Sequence, residues 1–228
     1  MADKTKIDWC DSTINPVIGC SRGCEYCYAR KMNARFKYVG DFSVPQFFPK
    51  ALKKPYRWKK PRIIFVCSMG ELFDPNVPDE WRSEVLSMIH YNHQHRFLLL
   101  TKQPERAGYW FDVWPFNAML GQSIPRFDFE ENFTFLINDD GYGIGSFISF
   151  EPLLGPAAEA IRPINPKWII VGAQTNPNKQ PEERWVREIL DRADEAGIPV
   201  LMKHNLEWPE SERRFEFPPE LERIRNGK

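Results

Sequence analysis

The stretch IIFVCSMGELF, residues 63 to 73, opens with four β-branched or aromatic residues and then turns polar at Ser68 and Glu71. An apolar run this short, set between Pro61 and Gly70, reads as a strand buried on both faces. The next segment, DEWRSEVLSMIHYNH (79 to 93), repeats Trp81, Val85, Leu86 and Ile89 at helical spacing behind Pro78 and Asp79. That is an amphipathic helix with ordinary start signals. FLLLTK (97 to 102) is a second buried strand. AMLGQSI (118 to 124), FISFEPL (147 to 153), WIIVGA (168 to 173) and VLMKHN (200 to 205) follow. Before the last of them stands the helix PEERWVREILDRADEAG (181 to 197), closed by Gly197. Strand then helix, repeated six or seven times, predicts an α/β fold: a parallel sheet closed or partly closed into a (β/α) barrel.

The chain has 228 residues, 42% of them hydrophobic and 14% aromatic, enough for one large domain over residues 1–228. Residues 1–12 read as an N-terminal extension and 207–228 as a C-terminal arm. NDDGYGIG (138 to 145) reads as a turn or hairpin. With 31 basic and 31 acidic residues the net charge is zero, so no global field recruits nucleic acid or an anionic membrane and any such contact must be local. MADKTKIDWC has no apolar leader, and no run approaches the ~18 apolar residues of a membrane span. A cytoplasmic chain without a membrane partner is expected. Five cysteines, three of them crowded together, point to metal or redox chemistry before disulfides in such a compartment.

In a barrel of this kind chemistry collects at the C-terminal ends of the strands. Polar residues gather there: Ser68 and Glu71, Thr101 and Lys102, Gln122 and Ser123, Glu151, Gln174, then Lys203 and His204. Polar residues at strand ends also mark merely where a core stops, which does not account for six ends in succession. Trp81, Trp168 and Trp185 fall at core positions and read as packing, and Cys67 reads as a small buried apolar residue.

GCSRGCEYCY (19 to 28) spaces Cys20, Cys24 and Cys27 as C-x3-C-x2-C. Short spacers let a loop wrap its thiolates round a soft metal centre. A structural zinc site wants four ligands, commonly in two separated pairs. No second pair follows here, and Cys10 is the candidate fourth ligand. Three thiolates on a four-iron cluster leave one iron open.

C-x3-C-x-aromatic-C, with Tyr26 in the aromatic place, resembles the signature of the radical S-adenosylmethionine (SAM) enzymes. The resemblance implies a [4Fe-4S] cluster on Cys20, Cys24 and Cys27, and SAM on the open iron. It implies reductive cleavage of SAM to methionine and a 5′-deoxyadenosyl radical, with a low-potential donor such as flavodoxin or ferredoxin. The glycine-rich turn that meets the SAM amino group in that superfamily is matched by Ser68, Met69, Gly70 and Glu71, with Met69 in place of the first glycine, so that backbone carbonyls alone would make the contact. The resemblance places Lys102 at the SAM carboxylate and Thr101 near the ribose, with Gln122 beside them; Lys102 paired with Glu105 or solvent is the competing reading. Glu151, Lys203 and His204 are the candidate substrate-facing groups, His204 as a proton donor or as an ordinary hydrogen-bonded histidine. INPVIGC, WKKPRIIFVCSMGELF, LLLTKQPERA, FISFEPLLGP, WIIVGAQ and PVLMKHNLEW are similar to a phage-associated three-Cys-motif family of unknown function.

KKPYRWKKPR (53 to 62) mixes six cations with Tyr56 and Trp58, which suits either a nucleic-acid surface or a solvated connector. Three readings follow. The chain is a radical SAM enzyme with a large substrate such as nucleic acid, acting in lesion repair or base modification. Alternatively it is a structural metalloprotein with Cys10 as fourth ligand. The third is a nucleic-acid-binding module that uses residues 53 to 62.

Overall fold

The computed structural model describes residues 5–127 and 145–227, so most of the hairpin expected at 138 to 145 lies outside the described residues. In chain order the strands are β1 (Ser12–Ile14), β2 (Val17–Ile18), β3 (Gln46–Phe47), β4 (Ile63–Val66), β5 (Arg96–Thr101), β6 (Ala118–Ser123), β7 (Ser146–Phe150), β8 (Trp168–Val171), β9 (Gln174–Thr175), β10 (Asn178–Lys179) and β11 (Val200–Met202). The α-helices are α1 (Tyr28–Phe36), α2 (Asp79–Tyr91), α3 (Pro104–Gly108), α4 (Ile161–Ile164), α5 (Glu183–Ala196) and α6 (Pro219–Asn226). Seven strands form one sheet in the order β1-β4-β5-β6-β7-β8-β11, and every pairing within it is parallel. Spatial order follows chain order with no reversal, so the sheet curls as a partial barrel and is not doubly wound. The first barrel strand is β1. Val17 and Ile18, which follow β1 closely, form only a small antiparallel pair with β3.

Alternation along each strand divides the residues between two cores. The outward set of β4, β5 and β6, including Ile64, Val66, Phe97, Leu99, Ala118 and Leu120, packs on Val85, Leu86, Met88 and Ile89 of α2. Asp79 and Glu80 in the first turn of α2 and His90 in its last suit the helix dipole. The outward set of β7, β8 and β11 packs on Val186, Ile189, Leu190 and Ala193 of α5. Gly197 ends α5 in the left-handed region at φ +65°, donating to the carbonyls of Ala193 and Asp194.

The inward set, Ile63, Phe65, Leu98, Met119, Phe147, Trp168, Ile170 and Leu201, fills the barrel. Gly121 leaves the room that the Phe147 ring occupies, since a Cβ there would lie 2.3 Å from the ring. Both termini complete this core. Trp9, 2% exposed, packs on Phe65 with ring centroids 4.5 Å apart and reaches Phe147 and Trp168. Asp11 accepts from Ile63 N of β4 at 2.7 Å, and Asp8 accepts from the backbone of His204, just past β11, at 3.1 Å, so the segment leading into β1 is tied to both sides of the sheet. The arm after residue 207 pairs antiparallel along the free edge of β11 through Phe215 and inserts Phe217 and Leu221 into the interior. It thereby covers an edge that would otherwise be open to pairing.

Replacing Trp9 by alanine should therefore cost about 3–5 kcal/mol, as for a large buried aromatic. Urea denaturation measures this, and a loss under about 1 kcal/mol would mean that the interior does not depend on the N-terminal segment.

Candidate active site at the barrel mouth

The inward alternation that places Leu98 and Leu100 continues to Lys102, that of Met119 and Gly121 to Ser123, that of Phe147 to Ser149 and Glu151, and that of Leu201 to Lys203. The C-terminal ends of β5, β6, β7 and β11 thus direct these residues to one mouth. Lys102 Nζ donates to Ser123 Oγ at 2.6 Å, Ser123 Oγ lies 3.4 Å from the Glu151 carbonyl, and Lys203 forms an ion pair with Glu151. One step below Glu151, Ser149 Oγ is buried with no hydrogen-bond partner among the described residues. Gly172 opens space beside this group, because a Cβ there would meet Lys203, Glu151 and Asn205 at 3.0–3.3 Å.

The loop with the three cysteines lies over this mouth and is tied down along its length. Gly19 and Gly70 form a parallel bridge, and a Cβ on Gly70 would sit 2.8 Å from the Val17 carbonyl and 2.9 Å from that of Gly19. Asp74 accepts from both the N–H and the hydroxyl of Ser21, at 2.7 and 2.8 Å, and Arg30 donates to the Cys20 and Arg22 carbonyls. Cys27 caps α1, its Sγ accepting from Arg30 N at 3.4 Å. Met69 packs beneath Cys20 and Cys27 together with Phe42 and Val39, so the side chain standing in the glycine-like position supports the loop.

The thiols of Cys20 and Cys24 lie within electrostatic reach of each other, and those of Cys24 and Cys27 within reach of Lys102 at the mouth. Burial pushes the Cys20 thiol up to about 12, with Glu71, Asp74 and Cys24 adding to the rise. Lys102 feels Cys24, Glu71, Cys27 and Glu151, and its Nζ lies 5.7 Å from the Tyr26 ring centroid. Burial nevertheless holds the Lys102 ammonium below its ordinary value of 10.5. Tyr28 donates its hydroxyl to the Ser68 carbonyl and senses Glu151, Cys27 and Cys10. Tyr28 carries no signal in the C-x3-C-x2-C pattern beyond being the first residue of the capped helix.

Other candidates from the sequence take different places. Glu71 is buried and its carboxylate is engaged by the protein, accepting from Phe73 N at 3.1 Å, Thr101 Oγ1 at 2.9 Å and Lys102 N at 3.1 Å. Burial raises its pKa against those donors. Thr101 therefore serves the Glu71 turn and shares the helix-facing side of β5 with Phe97 and Leu99, while alternation sets Gln122 on the corresponding side of β6. The Met69 carbonyl accepts from Gly19 N at 3.1 Å, so it and the Ser68 carbonyl already have partners. Lys102 bonds Ser123 and not Glu105. Gln174 bonds the Pro177 carbonyl within the β9–β10 hairpin. His204 is largely exposed and its Nδ1 lies 2.5 Å from Asp8 Oδ2.

Among the described residues no three His, Cys, Asp or Glu side chains are close enough to hold a single metal ion. Cys10 packs with the barrel interior, whereas Cys20 and Cys27 pack in a separate cluster beneath the loop. Burial lifts the Cys10 thiol to about 12. A single zinc ion with Cys10 as fourth ligand does not match this arrangement, because the four Zn–S bonds of ~2.3 Å would need the sulfurs together. Three free cysteine thiols on one loop are the soft donors that an iron–sulfur cluster takes. The cationic run 53 to 62 lies elsewhere. It enters β4 from its N-terminal end, with Arg62 N bonded to His95 Nδ1 beside the start of β5, and Trp58 is buried under Arg62 at 4.6 Å.

A family model described as a protein of unknown function (DUF5131) matches residues 4–226. The chain belongs to that family. No curated protein matches it. Among solved structures the chain is similar to spore photoproduct lyase complexed with dinucleoside spore photoproduct, at 12% identity and a TM-score of 0.48, covering 83% of this chain and 64% of that one. A doubly substituted spore photoproduct lyase with bound AdoMet and the same dinucleoside gives 13% identity and a TM-score of 0.46, covering 96% and 62%. In both cases the chain spans less than two thirds of the neighbour's length. No helix among the described residues is long and apolar enough to cross a membrane.

The Lys102 ammonium has a testable cost. A folded-state pKa below 10.5 means that the charged form is disfavoured on folding. The penalty grows as pH falls from about 10.5 toward the folded value and is complete below it. Lys102→Met should fold and be about 1 kcal/mol more stable than wild type at pH 7, with the gap closing above pH 10.5. A variant less stable at pH 7 would show that the ammonium holds the mouth together.

Proposed function

We propose that the chain is a radical SAM enzyme whose cluster is held by Cys20, Cys24 and Cys27. The observation that carries this reading is the position of Lys102. A partly buried ammonium at the barrel mouth lies within electrostatic reach of two of the three loop cysteines, Cys24 and Cys27, and of Glu71 and Glu151. When bound, the [4Fe-4S] cluster and SAM supply one-electron reductive cleavage of a carbon–sulfur bond and a carbon-centred abstractor of hydrogen. The electron comes from a low-potential donor such as flavodoxin or ferredoxin.

The chain's own residues bind, orient and exclude water. Lys102 offers its ammonium to the SAM carboxylate, and Ser123 holds the lysine in place. Glu71 positions Lys102 and Thr101 through the three hydrogen bonds it accepts. Ser149 offers an unpaired hydroxyl, and the Glu151–Lys203 pair offers one acceptor and one donor, to a ribose or a substrate. Trp9, Phe147 and Trp168 close the floor of the mouth against water. The substrate is read as large, a nucleic acid undergoing base modification or lesion repair.

Anaerobic reconstitution with iron and sulfide, then dithionite and SAM, should release 5′-deoxyadenosine from wild type and from Cys10→Ala. Cys24→Ala should release none, and Lys102→Met, although stable, should bind SAM about 10- to 100-fold more weakly. Chromatography decides the matter: a colourless wild type, or product that persists in Cys24→Ala, rejects the reading.

A further inference from the structure

Residues 26–40 carry Arg30, Lys31, Arg35 and Lys37 and no acidic residue, in a chain whose charges balance overall. Tyr28, Met32 and Phe36 recur at i, i+4 and i+8 and so share one face of α1. That face is open to solvent, with exposures of 46%, 37% and 52%, and Tyr38 just beyond the helix adds 45%. Single apolar side chains on a surface are ordinary, whereas a row of four along about 12 Å of helix marks an interaction site. The rings are already arranged. Phe36 and Tyr38 have centroids 5.8 Å apart at 42°, and the Arg35 guanidinium lies 5.0 Å over Phe36. Among the described residues neither Arg35 nor Lys37 joins an ion pair. Lys31, at the edge, donates to the Asn176 carbonyl and retains two further protons.

We propose that this face of α1 docks a single-stranded nucleic acid, with phosphates on Arg35, Lys37 and Lys31 and unstacked bases on Phe36 and Tyr38. Flat exposed rings interleaved with unpaired cations match a strand that offers a π-face and a charge at each nucleotide. An acidic peptide would satisfy the cations and leave the rings without partners. The proposal deepens the radical SAM reading, since α1 starts at the last cysteine and the Tyr28 hydroxyl reaches the rim at Ser68, so a strand along the helix leads into the mouth. It also replaces residues 53 to 62 as the nucleic-acid surface, because that run sits at the opposite end of the strands.

The test is fluorescence anisotropy of a labelled twelve-nucleotide oligothymidine with the full, cluster-loaded chain. Three neutralised phosphates predict about twentyfold weaker binding at 200 mM than at 50 mM salt. Phe36→Ala and Tyr38→Ala remove exposed rings on which the fold does not rest, and each should weaken binding about 5- to 100-fold. Lys37→Glu should weaken it too, while Lys59→Glu with Lys60→Glu should leave it unchanged. Absence of saturable binding at 50 mM salt, insensitivity to Phe36→Ala, loss in the Lys59/Lys60 variant, or competition by polyglutamate as effective as by the oligonucleotide would each overturn the proposal. 5′-Deoxyadenosine formed without oligonucleotide reports on the mouth alone, so the docking face and the radical chemistry can fail separately.

Discussion

The close approach of Gly19 and Gly70 is the constraint on which the site depends. Two backbones meet there with no room for a Cβ on Gly70, and the pairing sets the base of the cysteine loop against the end of β4. Everything above it follows from that contact. Cys67 at φ +58° turns the chain out of β4, and Asn15 accepts from Ser68 Oγ and Met69 N to hold the turn. Glu71 then reaches across to Thr101 and Lys102, which fixes the end of β5 relative to the loop. A buried carboxylate with three donors is a rigid joint, because losing any one donor leaves charge uncompensated. Loop, turn and lysine form one unit.

Electrostatics in the mouth work against stability and toward binding. The thiol of Cys20 and the ammonium of Lys102 are both shifted toward their neutral forms by burial. Metal binding requires the thiolate and releases the proton, so a cluster would compensate the cost of the charge while SAM would compensate that of the ammonium. Groups with costs of this kind collect where a ligand completes them. Away from the mouth the charged side chains pair among themselves, as Arg214 does with Asp194 and Arg187 with Glu183 and Glu212. The basic, acid-free stretch along α1 departs from that pattern beside the one place where chemistry is read.

Much of the fold is legible in the sequence because its strands are short, continuously apolar and separated by helices with clear punctuation. Pro78 and Gly197 fall where α2 and α5 begin and end. β1 is not legible, since Ser12–Ile14 is three residues long and gains its place only by pairing with β4, while Val17 and Ile18 look equally strand-like. The cysteines are legible from spacing, and Lys102, Glu151 and Lys203 from standing at strand ends. The period of two, counted from Leu98, Met119, Phe147 and Leu201, distinguishes the inward Lys102, Ser123, Ser149 and Lys203 from the outward Thr101 and Gln122. What no local pattern carries is tertiary: the burial of Trp58, the capture of Glu71 by three donors, and the exposure of one aromatic face of α1.

The central claim is that three cysteines leave one iron open for SAM. Electron paramagnetic resonance of the anaerobically reconstituted, dithionite-reduced protein, recorded without and with SAM, tests it most directly. A reduced four-iron signal that changes when SAM is added, in wild type and in Cys10→Ala alike, is the predicted result. A signal indifferent to SAM, or one that requires Cys10, would mean a closed cluster and would contradict the account.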